Sequence, residues 1–143
     1  MSIEYNAHFA PDPDGGLLVT FPDVPEAITH GDDEVQARAN AREALGLALR
    51  GYVLDGRSLP AAVAMGKGLV RIAPDAQDVL KIATIEAFRA SGLTKVALAE
   101  QMGKQEGEVR RILDPDHPTK LAALQQTLRL LGKEIVIDVR DAA

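Results

Sequence analysis

Apolar and polar residues alternate from the first positions of the chain. Ile3, Tyr5, Ala7 and Phe9 fall on one side of an extended backbone, with Ser2, Glu4, Asn6 and His8 on the other. This period of two marks a strand buried on one face. Asp12-Pro13-Asp14-Gly15-Gly16 supplies turn residues, and Leu17, Val19 and Phe21 resume the alternation until Pro22 stops it, so a hairpin is predicted. A third short strand is predicted over Ala27 to His30. Gly31 and Asp32 then open a helix, with Asp32 placed to cap it and Asp33 and Glu34 suited to the positive end of the helix dipole. Leu45, Ala48, Leu49 and Tyr52 recur at helical spacing, giving a stripe that can lie on the sheet. The pattern fades at Asp55-Gly56. Beyond Pro60 an alanine-rich connector leads to Gly68-Leu69-Val70-Arg71-Ile72, the length of one more strand. The order β-β-β-α-β predicts an α+β layer in which one helix covers one sheet face.

The texture changes at Ala73-Pro74-Asp75, which divides the chain into expected domains of residues 1–74 and 75–143. Pro74 breaks the strand, and Asp75 is placed to cap a helix carrying Val79, Ile82, Ala83, Glu86 and Phe88 that ends near Ser91-Gly92. Leu93-Thr94-Lys95-Val96-Ala97-Leu98-Ala99-Glu100-Gln101-Met102-Gly103, followed by Val109, Ile112 and Leu113, carries the sharpest pattern in the sequence. It is similar to the Cro/repressor helix-turn-helix. Thr94 caps the first helix, Leu98 and Met102 face a core one turn apart, Ala99 is small where two helices cross, and Gly103 takes the left-handed turn. Val109, Ile112 and Leu113 form the inner face of the second helix, which leaves Arg110 and Arg111 outward. Asp114-Pro115-Asp116-His117-Pro118 makes a rigid turn with Thr119 positioned to cap a last helix. Leu121, Leu124, Leu128 and Leu131 give that helix a packing stripe too short for a zipper. Gly132 ends it, and Ile135-Val136-Ile137 predict a short C-terminal strand, which two subunits could share. The second domain is otherwise expected to be all-α.

Composition narrows the chemistry. The 143 residues are 46% hydrophobic and 26% charged, the balance of a globular protein. The apolar stretch from Leu59 to Met65 is far shorter than a membrane span. Met1 leads straight into a strand pattern rather than a signal peptide, so a cytoplasmic location is expected. The absence of cysteine removes disulfides, thiolate nucleophiles and cysteine-based zinc sites. His8, His30 and His117 show no metal-ligand spacing, and no metal or cofactor is expected. Aromatic residues, at 3%, are too few for a base-stacking platform. The net charge of −5 is uneven: residues 1–74 hold six Lys and Arg against ten Asp and Glu. From Leu93 to Leu113, Lys95, Lys104, Arg110 and Arg111 outnumber Glu100, Glu106 and Glu108 by one.

The first half closely resembles the HicB antitoxin family. The resemblance rests on Tyr5-x-Ala7-x-Phe9, Pro11-Asp12, Asp14-Gly15-Gly16, Val19-Thr20-Phe21-Pro22-Asp23, Pro25, Gly31-Asp32, Ala39-Asn40-Ala41 and Asp55-Gly56-Arg57 before Pro60, in that order. It implies a partial RNase H-like fold for residues 1–74. A two-metal nuclease of that outline would need carboxylates converging from the first strand. Here that strand's inward residues are Tyr5, Ala7 and Phe9, and Asp12, Asp14, Asp23 and Asp32 belong to turns or a helix cap, so no catalytic residue is expected. The second half, with Leu131-Gly132 followed by an apolar run, resembles the C-terminal part of longer HicB proteins.

The resemblance implies a non-enzymatic protein that binds and inhibits a HicA-type toxin, a small basic mRNA-cleaving ribonuclease, and that represses its own operon by binding double-stranded operator DNA. The modest local charge predicts a homodimer or higher homo-oligomer reading two half-sites. For that DNA, Gln105, Glu106 and Arg110 are the candidates for base edges and Thr94, Lys95, Lys104 and Arg111 for phosphates. Gly107 lies near the start of the recognition helix. Lys104 and Gly107 depart from the pattern, since the first position is often apolar and glycine weakens a helix. Two other readings stay open from the residues alone: a helical hairpin serving packing or dimerisation, and a stand-alone transcription regulator whose first domain oligomerises or senses a ligand.

Overall fold

The computed structural model describes residues 2–142. The chain forms two compact units, Met1–Ile82 and Ala83–Ala143. The first is built from β1 (Tyr5–Pro11), β2 (Leu17–Thr20), β3 (Ile28–Gly31), α1 (Glu34–Leu54) and β4 (Leu69–Ile72). The division falls within α2 (Ala76–Ser91), after which come α3 (Lys95–Met102), α4 (Glu106–Ile112) and α5 (Leu121–Leu130). The predicted order β-β-β-α-β is the order observed.

The strands make one antiparallel sheet in the order β3-β2-β1-β4. The register sets Tyr5 beside Ile72, Ala7 beside Val70, and Phe9 beside Val19 and then Thr29. Tyr5, Ala7, Val19 and Ile72 are buried, and α1 covers this face with Ala37, Ala41, Leu45, Leu49, Tyr52 and Val53. Each fully buried leucine of that stripe contributes about 1.5–3 kcal/mol. The opposite rows hold His8 with Leu69, Thr20 and Ile28, and Ala10 with Leu18 and His30. Both histidines are exposed, and the His30 ring nitrogen lies 2.8 Å from the Gly15 carbonyl, which fastens β3 to the hairpin turn.

Local chemistry explains the element ends, and in places differs from expectation. Asp33, not Asp32, caps α1: its carboxylate accepts from Gln36 N at 2.8 Å, while Gln36 Oε1 accepts from Asp32 N at 2.6 Å. Asp33 thus satisfies an orphan N–H of the first turn and Gln36 reaches back to the N–H just before the cap, a variant of the capping box, so the cap moves one residue along. Ala48 is only half-buried, and Gly46 and Val53 join the stripe instead. Phe21 lies beyond β2 but is buried all the same, in a turned segment where Val24 N–H donates to Phe21 O. The alanine-rich connector is pinned by four bonds. Tyr5 Oη donates to Pro60 O, Asn6 Nδ2 to Ala64 O, and Val63 and Ala64 N–H both donate to Asp23 Oδ2.

In the second unit, Leu98 and Met102 of α3, Val109 and Ile112 of α4, and Leu124 and Leu128 of α5 are buried. The hydroxyl of buried Thr127 donates to Ala123 O at 2.7 Å. Lys120, without a side-chain cap bond, stands at the N-terminus of α5. Thr119 instead turns its hydroxyl toward His117 O. Leu121 is exposed and Leu131 half-buried, so the apolar stripe of α5 is shorter than predicted. The predicted C-terminal strand does not form within the chain: residues 133–142 have no regular structure, because a strand needs a neighbour to satisfy its ladder and no strand among the described residues is laddered to it.

The approach of α1 to β3 yields a test. A side chain added at Gly31 would collide with the backbone N and Cα of Ala37, and backbone cannot swing aside. Gly31→Ala is expected to destabilise the first unit by about 1–3 kcal/mol, read as a lower urea midpoint.

Candidate nucleic-acid interface

The segment from Leu93 to Leu113 is two short helices joined by a tight turn. Thr94, in extended conformation, caps α3 through its hydroxyl, which accepts from Ala97 N at 3.0 Å. At the other end Gly103 takes φ +65° and ψ 32°, and the N–H groups of Gly103 and Lys104 return to Glu100 O and Ala99 O. This left-handed C-cap satisfies two orphan carbonyls and reverses the chain. α4 then runs only from Glu106 to Ile112, and Gln105 at its N-cap makes no side-chain cap bond.

The core faces fix what points outward. With Leu98, Ala99, Met102, Val109 and Ile112 buried, Thr94, Lys95, Gln105, Gly107, Arg110 and Arg111 are exposed, and Lys104 and Glu106 are half-buried. Every residue predicted to meet DNA therefore retains some access to solvent. Cations of this face are already engaged within the chain. Arg110 Nη2 donates to Glu106 Oε1 at 2.8 Å, and Lys104 Nζ lies 3.7 Å from Glu108 Oε2. Glu106 and Glu108 occupy the first turn of α4, and Arg110 and Arg111 its last, so each sign sits at the favourable end of the dipole. Such exposed (i, i+4) pairs are worth about 0.3–0.5 kcal/mol, little enough for a phosphate or base edge to displace. The acidic residues that depress the local charge thus support a seven-residue helix.

One grouping was not legible in the sequence. Lys104, Glu108, Arg111, His117 and Lys120 line a single surface cleft of about 370 Å³. The turn 114–118 brings Lys120 back beside α4, adding a third cation to a concavity that holds one carboxylate. The Asp-Pro…His-Pro run was the available signal, since a rigid turn between two helices returns the chain to its neighbour.

A second cluster lies in the first unit. Tyr52 Oη donates to both oxygens of Glu26, at 2.8 and 2.7 Å. The Arg57 guanidinium stacks 3.9 Å from the Tyr52 ring centroid, with Nη2 3.5 Å from Glu26 Oε1. The Tyr52 hydrogen bond foremost, then a backbone hydrogen bond and the Arg57 charge, hold the Glu26 carboxyl below its usual value of 4.5. The same hydrogen bond, with burial, raises the Tyr52 phenol above 10.0. The cluster ties the end of α1 to the turned segment before β3 and gives Asp55-Gly56-Arg57 a structural purpose. Among the described residues no group of three or more His, Asp or Glu is placed to hold a metal ion, and no helix is long and apolar enough to cross a membrane.

Residues 4–83 match the family described as the HicB-like antitoxin of bacterial toxin–antitoxin systems. The chain belongs to that family. Its HicB relatives extend beyond the matched region. Antitoxin HicB of Escherichia coli K12 is 32% identical over 133 residues, covering 93% of this chain and 96% of the relative. Antitoxin HicB 1 of Photorhabdus laumondii is 31% identical over 138 residues, 96% of this chain and 88% of the relative. Antitoxin HicB 2 of the same organism is 34% identical over 135 residues, 94% of each. The similarity to HicB antitoxins therefore takes in the α3–α4 pair as well as the sheet.

Two measurements test these arrangements. Gly103→Ala forces a side chain into the left-handed region and is expected to lower the stability of the second unit by about 1 kcal/mol, read in urea unfolding. Glu26, with its folded value lowered, contributes stability above pH 4.5 that is lost as pH falls through that lowered value. Glu26→Gln should flatten the acid limb of a Tm-against-pH curve; an unchanged limb would show that the cluster does not couple to folding.

Proposed function

We propose that this chain is a two-part antitoxin. Its first part, residues 1–74, binds a HicA-type mRNA-cleaving ribonuclease toxin and inhibits it by occupancy rather than chemistry. Its second part, residues 75–143, carries a helix-turn-helix that binds the promoter of its own operon, with the protein acting as a homodimer or larger homo-oligomer in the cytoplasm. The observation that carries this reading is the length of the similarity: relatives named antitoxin HicB align over 93–96% of the chain, so both parts belong to one kind of protein.

Charge supports the division of labour. The excess of four acidic residues in 1–74 suits a partner that itself binds RNA, since complementary potentials steer association. In the second part, the left-handed turn at Gly103 and the outward Arg110 and Arg111 suit a recognition helix. Gln105, Glu106 and Arg110 are assigned to base edges, with Gly107 allowing close approach. Thr94, Lys95, Lys104 and Arg111 are assigned to phosphates, and Lys120 joins them through its shared cleft with Lys104 and Arg111.

Arg110→Ala is the deciding experiment. Loss of a base contact costs about 1–3 kcal/mol, so binding to a fluorescent promoter fragment should weaken by about fivefold or more, with inhibition of the toxin's RNA cleavage unchanged. A parallel fall in both activities would overturn the two-part division. Unchanged DNA binding would remove Arg110 from the interface.

A further inference from the structure

Beyond α5 the chain reads Lys133-Glu134-Ile135-Val136-Ile137-Asp138-Val139-Arg140-Asp141. It forms no helix or strand in the single chain. Val136, Ile137 and Val139 are 85%, 73% and 88% exposed, a concentration of β-branched residues that favours a strand yet pairs with no strand among the described residues. We propose that this segment pairs with the same segment of a second copy as a two-stranded antiparallel ribbon whose two-fold axis passes through Ile137.

The register follows from symmetry and charge. A two-fold axis keeps facing residues on the same side of the ribbon, and side chains alternate sides, so the axis must pass through a residue rather than between two. Centred on Ile137, Ile135 faces Val139, Glu134 faces Arg140, Lys133 faces Asp141 and Val136 faces Asp138, so no like charges meet and both charge pairs are of opposite sign. Centred on Val136, Glu134 meets Asp138. Centred on Asp138, that carboxylate meets its own copy. Like charges directly opposite are destabilising. A shift of two residues either way sets Ile137 against Lys133 or Asp141 and breaks the apolar row. Only the Ile137 register keeps Ile135, Ile137 and Val139 together with complementary ends. A two-stranded ribbon is marginal alone, and exposed Leu130 at the end of α5 supplies apolar surface in the same unit.

The inference rests on the homodimer part of the proposed function, and the test separates the two. The full chain has no cysteine, so Ile137→Cys introduces a unique thiol. Facing Cα atoms in an antiparallel pair lie about 4.5–5.5 Å apart, within disulfide reach. Mild oxidation should give a covalent dimer. Glu134→Cys should not, since the two copies of that position would be about 20 Å apart along the ribbon at roughly 3.3 Å per residue. In sedimentation equilibrium, Glu134→Lys should weaken self-association about tenfold, with Glu134→Arg combined with Arg140→Glu restoring it. Equal cross-linking at 134 and 137, or a dimer indifferent to Ile137→Asp, would overturn the ribbon while leaving the dimer intact. A chain monomeric at all concentrations would overturn both.

Discussion

The first unit depends on how closely a 21-residue helix can lie against the end of a four-residue edge strand. β3 ends at Gly31 and α1 begins at Glu34, so the helix cannot swing away before its first turn crosses the sheet. Three small choices make the crossing possible. Gly31 presents no side chain, Ala37 presents only a methyl group, and Asn40 donates to His30 O at 2.8 Å, satisfying a backbone carbonyl of β3. Once the first turn is seated, the spacing of Leu45, Leu49 and Tyr52 is fixed by the helix alone. Tyr52 arrives at Glu26 and Arg57, which close the far end of the same layer. The close approach is therefore upstream of both the core and the cluster.

This dependence explains why several residues that carry the family resemblance are structural. Asp23 holds the connector by accepting from Val63 and Ala64 N–H, and Asp12 accepts from Asp14 N–H within the hairpin turn. Local backbone N–H bonds of this kind give these carboxylates a structural role.

Much of the fold was legible because period and turn chemistry agree. The alternation from Ile3 to Phe9, the Asp-Gly-Gly turn and the helical stripe of α1 each point to the same layer, and the order of elements along the chain followed from them, whereas the pairing of β4 with β1 did not. The misplacements share one cause: the sequence names residues able to do a job but not the rival that does it. Asp32 and Asp33 can both cap a helix, and the choice turned on Gln36, which had to lie three residues on. Thr119 is a better cap than Lys120, yet the rigid turn before it directs its hydroxyl to His117 O. Of the candidate site, the two helices and the outward arginines were legible. Its ion pairs and the arrival of Lys120 were not, since they depend on side-chain reach and on where a turn returns the chain.

The charge of α4 sets the terms on which DNA could be bound. A helix of seven residues is too short to hold itself by propensity alone, and it draws on acidic residues at its start and basic ones at its end. Those same acids reduce the field available to phosphates, so under the proposed function one copy would carry a small counterion term and weak affinity. Adding arginines would raise affinity but remove the glutamates' support for the helix. A second copy escapes that conflict. Joining two weak sites makes the second contact intramolecular, and avidity then exceeds either affinity by orders of magnitude without a new cation. On this view the helix is kept short and self-neutralised because specificity can come from two half-sites held at a fixed spacing. The demand for stability then falls on whatever surface holds the copies together, and the proposed ribbon of β-branched residues directly after α5 would supply one.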